Sequence, residues 1–255
     1  MGILADLTLS TLCFAVVITA FAGVVKGVVG FGLPLIMISG LASFLPAEVA
    51  LAALILPTAS TNVRQALRQG PHSAWRVVRK YRVYLLALFV TLVFSAQLVL
   101  YMPQKVLFIL IGSPVVLFCL MQLRGWAPSL RPENRVRDES IIASISGLVG
   151  GISGVWGPPF VAYLTATNTS KTEQMLAQGV VYGFGAMVLV GAHVQSGVFN
   201  AHTAPLSAML LVPAFLGMAV GYRLHDRMPQ KTFKRATLIV LTVAGLNLIR
   251  RGLMG

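Results

Sequence analysis

Residues 23–34 read GVVKGVVGFGLP, an apolar run that contains one lysine, several glycines and a final proline. Glycine lowers helix stability, and proline has no backbone N–H and disfavours helix in the residue before it. The end of this run, GFGLP, therefore predicts that one helix stops and another begins. Lys26 lies one helical turn before that interruption. An ionisable side chain in an apolar segment is costly, which makes Lys26 a candidate functional residue.

The composition around this run is that of a membrane protein. The chain has 255 residues, of which 56% are hydrophobic and 11% are charged, and its mean hydropathy is +0.82. A soluble domain usually has about 25% charged residues, and a helix needs roughly 20 apolar residues to cross a bilayer. We therefore predict an all-α polytopic membrane protein with apolar segments near residues 8–25, 46–63, 83–100, 106–123, 141–164, 174–192, 204–222 and 236–249.

The net charge of +13 is concentrated between these segments. Of the 20 lysines and arginines, six lie at 64–82, four at 124–137 and five at 223–235. Such clusters are typical of cytoplasmic loops and of contact with anionic lipid headgroups. No basic domain with interleaved aromatic residues lies outside the apolar segments, so we predict the lipid bilayer as a partner and no nucleic acid.

The sequence contains an internal repeat. GVVKGVVGFGLP at 23–34 aligns with GLVGGISGVWGP at 147–158, and the tetrapeptide MPQK occurs at 102–105 and at 228–231. The number of residues between the two copies is nearly equal for both matches, and the matches occur in the same order. We therefore predict an N-terminal membrane repeat at 1–126 and a C-terminal membrane repeat at 127–255.

The loop charges predict that these repeats have inverted topology. The first MPQK joins two segments that lie between basic loops, so it is expected outside, whereas the second lies in the basic loop at 223–235. Equivalent turns on opposite sides are typical of inverted repeats in secondary transporters. Each repeat would then contain one broken segment, 8–43 or 139–167, followed by about three transmembrane helices. The alternative is eight plain spans in a parallel repeat.

The two glycine-proline segments predict an anion site. Broken helices persist in a membrane only where protein buries them or where they line a polar cavity. The N-terminus of a half-helix offers free N–H groups and the positive end of its dipole. For the earlier glycines, Gly23 and Gly27, close helix packing is an equally good interpretation.

Other polar residues can join such a site, each with an alternative. Lys26 either balances an anion or extends its long stem to the membrane surface. Asn62 and Arg64 end the second apolar segment, where Arg64 either attracts an anion or anchors the helix in the headgroups. Gln178 and Tyr182 are one turn apart and can hydrogen-bond an oxyanion or a neighbouring helix. The predicted binding residues are Lys26, Gly30, Phe31, Gly32, Pro34, Asn62, Arg64, Gly154, Val155, Trp156, Gly157, Pro158, Gln178 and Tyr182.

Carboxylates are scarce, and their scarcity argues against several other functions. The chain has seven; Glu48 and Glu173 are expected to cap helices, and the others, including Glu139 and Asp226, are expected at the terminus or in loops. Without an acidic cluster, coupling to sodium is disfavoured. No nucleophile-base set or metal-ligand spacing is present, so we predict no enzyme activity, no metal and no cofactor.

The paired GxxxGxxGxGxP-like stretches, in a chain of this length and hydrophobicity, resemble the sulfite exporter TauE/SafE family, also called the toluene sulfonate uptake permeases. The second copy departs from this pattern at Trp156 and at the pair Pro158-Pro159. The resemblance implies transport of sulfite or of an organosulfonate such as sulfoacetate across the cytoplasmic (inner) membrane of a bacterium. The predicted mechanism is alternating access by a monomer or homodimer. The alternative functions are an anion channel and a carrier for a different small organic anion.

Overall fold

The computed structural model describes residues 3, 7–98, 104–125, 134–153, 157–195 and 197–254. This part of the chain is built from α-helices joined by short turns. They are α1 (Leu9–Val29), α2 (Leu33–Leu41), α3 (Ala47–Leu67), α4 (Pro71–Lys80), α5 (Arg82–Leu98), α6 (Gln104–Leu123), α7 (Arg135–Ser153), α8 (Gly157–Ala166), α9 (Lys171–Gln195), α10 (Ala204–Met209), α11 (Leu211–Arg227) and α12 (Gln230–Met254).

Several helices are long and apolar enough to cross a membrane. Within the described residues these are α1, α9, α12 and the continuous pair α10–α11, which runs from Ala204 to Arg227. A helix of this length spans the hydrocarbon core, which is about 30 Å thick. The chain is therefore a multi-pass membrane protein, as its composition predicts.

The helices form two compact units, and each unit takes helices from both halves of the sequence. The first unit comprises Met1–Gly70 and Gln178–Pro229, and the second comprises Pro71–Ala177 and Gln230–Gly255. In the first unit α1 packs along α11, and in the second α7 packs along α5 while α12 packs along α6. The leading helix of each half thus pairs with a later helix of the other half.

Glycines allow the close contact between α1 and α11. A Cβ atom added at Gly23 would overlap the carbonyl oxygen of Ala214, and one added at Gly217 would overlap that of Ala20. Gly27 lies against the backbone of α11 in the same way. Small residues let membrane helices approach until their backbones touch. Of the two interpretations of the early glycines, the geometry therefore favours helix packing.

We expect Gly217→Val to destabilise the protein by about 3 kcal/mol, because overpacking against a backbone atom cannot be relieved by moving a side chain. The control is Gly191→Val in α9, where an added Cβ meets no neighbouring atom within 4 Å and the change should stay within about 0.5 kcal/mol. Thermal unfolding in detergent measures both variants. Equal melting temperatures would show that this contact does not limit stability.

In the first unit, α1 and α3 run in the same direction. Lys26 contacts Asn62, and Gly30 contacts Gln65. Gly30 is one turn after Lys26 at the end of α1, and Gln65 is about one turn after Asn62 in α3. The chain must therefore reverse between these two helices, and α2 lies on the returning segment. The reversal places the interruption of α1 beside the second half of α3.

Helices α3 and α9 run in opposite directions. Gly179 in α9 lies against the backbone of Gln65 and Ala66, whereas Gly183, one turn later, lies beside Asn62. These helices occupy corresponding places in the two halves of the sequence, since each follows a short helix that begins at a glycine-proline segment.

The prediction that Glu139 lies in a loop is wrong. Glu139 lies in α7 and is 2% exposed; it accepts hydrogen bonds from Arg135 Nε at 2.7 Å and from the Tyr163 hydroxyl at 3.2 Å. The helix begins before the apolar run, and an arginine four residues away on the same face keeps the carboxylate paired. Asp226 likewise lies in the last turns of α11, not in a loop.

Two further carboxylates, Glu48 and Glu173, lie at helix starts, as predicted. Glu48 is in the first turn of α3. The Glu173 N–H donates to Ser170 Oγ at 3.3 Å, which is the hydrogen bond expected of an N-cap serine. The Glu173 carboxylate also forms an ion pair with Lys80.

Candidate functional site

The chain leaves the α-helical conformation for only a few residues between α1 and α2. Gly30, with φ of 88°, ends α1, and Gly32, with φ of 93°, precedes α2. Left-handed backbone of this kind costs other residues roughly 1–2 kcal/mol. Pro34 lies in the first turn of α2, where its missing N–H removes no helical hydrogen bond. Phe31, between the two glycines, is 4% exposed.

Lys26 is enclosed by protein one turn before this interruption. Its side chain is 1% exposed, so it does not reach the surface, and its ammonium group donates a hydrogen bond to Asn62 Oδ1 at 2.5 Å. Among the described residues, no carboxylate forms an ion pair with Lys26. A buried charge is costly unless it is paired. The site therefore has a cation whose protein partner is neutral.

Two glutamines bind the carbonyl groups that α1 leaves open at its end. Gln65 Nε2 donates to the Gly30 carbonyl oxygen at 3.0 Å. The Gln178 amide nitrogen, in the orientation that faces acceptors, donates to the carbonyl oxygens of Val29 at 3.0 Å and Gly30 at 3.2 Å. The last carbonyls of a helix have no partner within that helix. These side chains supply partners, so the interruption is stable inside the protein.

Sequence reasoning missed Gln65, although a pattern on α3 indicates it. The buried polar residues of this helix recur at helical spacing and form one face: Thr58, Thr61, Asn62 and Gln65. A polar stripe on an otherwise apolar membrane helix faces other protein elements or a polar site. With this pattern, Asn62 and Gln65 would have been predicted together.

The remaining predicted site residues are distributed as follows. Tyr182 is buried in α9, one turn after Gln178. Gly157 and Pro158 begin α8 in the second unit, while Gly154, Val155 and Trp156 lie outside the described residues. In the first unit the structure thus brings together Lys26, Gly30, Asn62 and Gln178.

Arg64 lies on a different face of α3. It lines a cavity of about 650 Å³ between α3, α9 and α11, together with Arg68 and Tyr222. Asn62, two residues earlier, is buried and points toward α1. Residues two apart on a helix do not share a face.

The chain was also compared with known proteins. The family model described as "Sulfite exporter TauE/SafE" matches residues 15–248. This range includes both glycine-proline segments and the residues grouped around Lys26, which are Gly30, Asn62, Gln65 and Gln178. The chain belongs to the TauE/SafE sulfite exporter family. Searches of the curated proteins and of the solved structures found no match.

Membership of the TauE/SafE family implies a membrane transporter of sulfite or related anions. This agrees with the apolar helices, several of which are long enough to span a bilayer. Sulfite and its relatives are anions, and the buried cation at Lys26 has the opposite charge.

Proposed function

We propose that this protein is a secondary transporter that moves sulfite, or a small organosulfonate such as sulfoacetate, across the cytoplasmic membrane of a bacterium by alternating access. The observation that carries the proposal is Lys26, a buried ammonium group in a membrane helix with the neutral partner Asn62. Ionisable residues inside membrane segments mark substrate pathways. An anionic substrate would supply the opposite charge that the described protein residues do not.

In this proposal, the substrate binds to Lys26 and Asn62 together. The Asn62 oxygen accepts the hydrogen bond from Lys26, and the amide of an asparagine has two further N–H donors that suit an oxyanion. Gln65 and Gln178 are positioning residues. By donating to the Val29 and Gly30 carbonyls, they reduce the negative potential that the C-terminal end of α1 would present to the anion.

The start of α2 adds a second favourable feature. Gly32 and Pro34 place the N-terminus of this helix a few residues after the end of α1. Helix N-termini attract anions through free N–H groups and the helix dipole. Gly30 and Gly32, without Cβ atoms, allow the substrate to approach the backbone around Phe31.

We further propose that the α7–α8 segment, with Gly154, Val155, Trp156, Gly157 and Pro158, is the inverted counterpart of the α1–α2 segment. The antiparallel course of α3 and α9 supports inverted repeats at 1–126 and 127–255. The reciprocal pairing of α1 with α11 and of α7 with α5 supports them too. Paired broken helices at a repeat interface are typical of alternating-access carriers.

The proposal is tested by counterflow with purified protein in proteoliposomes. We expect uptake of labelled sulfite to saturate and to accelerate when the vesicles contain unlabelled sulfite, because a carrier must return its site before the next cycle. The substrate selectivity is measured by adding unlabelled competitors outside the vesicles: sulfoacetate, thiosulfate, sulfate, taurine and acetate. Competition should come from the anions with a sulfur oxyanion group and should be weaker for acetate and for taurine, which has no net charge.

The other outcomes are distinct. Uptake that rises linearly with sulfite and shows no acceleration would indicate an anion channel. Strong competition by acetate with none by sulfoacetate would indicate a carrier for a different organic anion. Vesicles without protein, treated in the same way, correct for sulfite that crosses the lipid unaided.

A further inference from the structure

The cavity beside Arg64 contains a cluster of charged and aromatic side chains. The Arg68 guanidinium binds both carboxylate oxygens of Asp226, at 2.8 and 2.6 Å, and lies 4.0 Å from the centroid of the Tyr222 ring. Both hydrogen bonds come from one guanidinium nitrogen, Nη2, and this ion pair holds Arg68 beside Asp226. Asp226 thereby neutralises one arginine of this cluster.

Arg64 is the second cation of the cluster, and its charge is not neutralised in this way. It lines the same cavity as Arg68 and Tyr222 and forms no ion pair with any described residue. Two arginines and one aspartate leave the cluster with one positive charge. That charge matches a ligand group with a single negative charge.

The Tyr222 hydroxyl is a separate indication that a ligand belongs here. The Tyr222 side chain lines the cavity and is 8% exposed, and its buried hydroxyl has no hydrogen-bond partner among the described residues. Buried hydroxyl groups in native proteins nearly always have a partner. A phenol beside two guanidinium groups is well suited to donate to an oxyanion oxygen.

The surroundings of the cluster favour a lipid as the source of the oxyanion. Three apolar side chains that line the cavity are exposed: Val63 at 43%, Leu67 at 49% and Met187 at 60%. Exposed apolar residues on membrane helices contact acyl chains. The arginines lie at the end of α3 and are the first two basic residues of the segment 64–82, which is predicted to be cytoplasmic, where anionic headgroups are found.

We propose that this cavity binds the headgroup phosphate of an anionic phospholipid. Arg64 contributes the positive charge and a charge-assisted hydrogen bond, Arg68 and the Tyr222 hydroxyl contribute further hydrogen bonds, and the exposed apolar residues contact an acyl chain. This site is distinct from the substrate site at Lys26, since the two use different faces of α3.

The experiment is native mass spectrometry of delipidated, full-length protein titrated with phosphatidylglycerol or with phosphatidylcholine. We expect tighter binding of phosphatidylglycerol. Arg64→Gln should weaken it about tenfold, because a charge-assisted hydrogen bond is lost, and Tyr222→Phe should weaken it several-fold. The matched control is Arg223→Gln, which removes an exposed arginine next to Tyr222 in sequence that does not line the cavity.

Several results would overturn the proposal. Equal binding of the two lipids would show that the site does not select an anionic headgroup. Equal losses in Arg64→Gln and Arg223→Gln would reduce the effect to general surface charge. Displacement of phosphatidylglycerol by inorganic phosphate or sulfite at comparable concentrations would assign the cavity to a free oxyanion. Each variant is also compared by thermal unfolding, so that a loss of binding is separated from a loss of folding.

Discussion

Lys26→Met is expected to lower the affinity for the transported sulfur anion by about a hundredfold or more. Removing one partner of a buried, hydrogen-bonded charge pair costs about 3–5 kcal/mol, and every 1.4 kcal/mol is tenfold in affinity. In the unliganded protein, however, Lys26 is a buried cation with a neutral partner. The variant should therefore melt at the same temperature as the wild type or higher. Isothermal titration calorimetry and thermal unfolding in detergent measure the two effects.

The matched control for this variant is Lys234→Met. Lys234 also donates to an asparagine, Asn168, at 3.2 Å, but this pair belongs to the second unit, whereas Lys26 and Asn62 belong to the first. Lys234→Met should bind the anion as the wild type does. Retention of full affinity in Lys26→Met would place the substrate elsewhere, even if counterflow shows that the protein is a carrier.

The second large effect is expected for Asn62→Asp. The carboxylate would pair with Lys26 and supply the negative charge that we assign to the substrate. The anion would then compete with a fixed carboxylate, so its affinity should fall about a hundredfold. The same ion pair should raise the melting temperature. Opposite changes in binding and stability are not expected from a variant that simply misfolds.

Two further variants isolate the role of charge. Asn62→Leu removes the hydrogen bonds without adding a charge, and we expect an affinity loss of about tenfold. Asn168→Asp introduces a carboxylate beside Lys234 and should leave binding unchanged. If Asn62→Asp and Asn62→Leu reduced affinity equally, the Lys26 charge would not be the group that the anion uses.

The interruption of α1 at the glycine-proline segment follows from local backbone physics. Glycines that can adopt a positive φ and a proline within a few residues specify an interruption wherever the helix lies. Local physics does not determine which groups complete the site, because Asn62 and Gln65 are about 35 residues away in sequence from the groups that they bind. For Gln178 the sequence leaves two partners open, an oxyanion or a neighbouring helix, and in the structure its amide donates to the carbonyls that end α1.

The sequence by itself determined the class of protein, its family and the place where the first helix is interrupted. Those properties depend on apolar length, on backbone sterics and on motifs that are contiguous in the chain. Only the tertiary structure decided that Lys26 is enclosed beside Asn62, that Gly23 and Gly27 serve the contact with α11, that Glu139 is buried, and that Arg64 faces a separate cavity. Each of these depends on which helix is the neighbour and on which face it presents, and helix neighbours are set by packing between segments far apart in the chain.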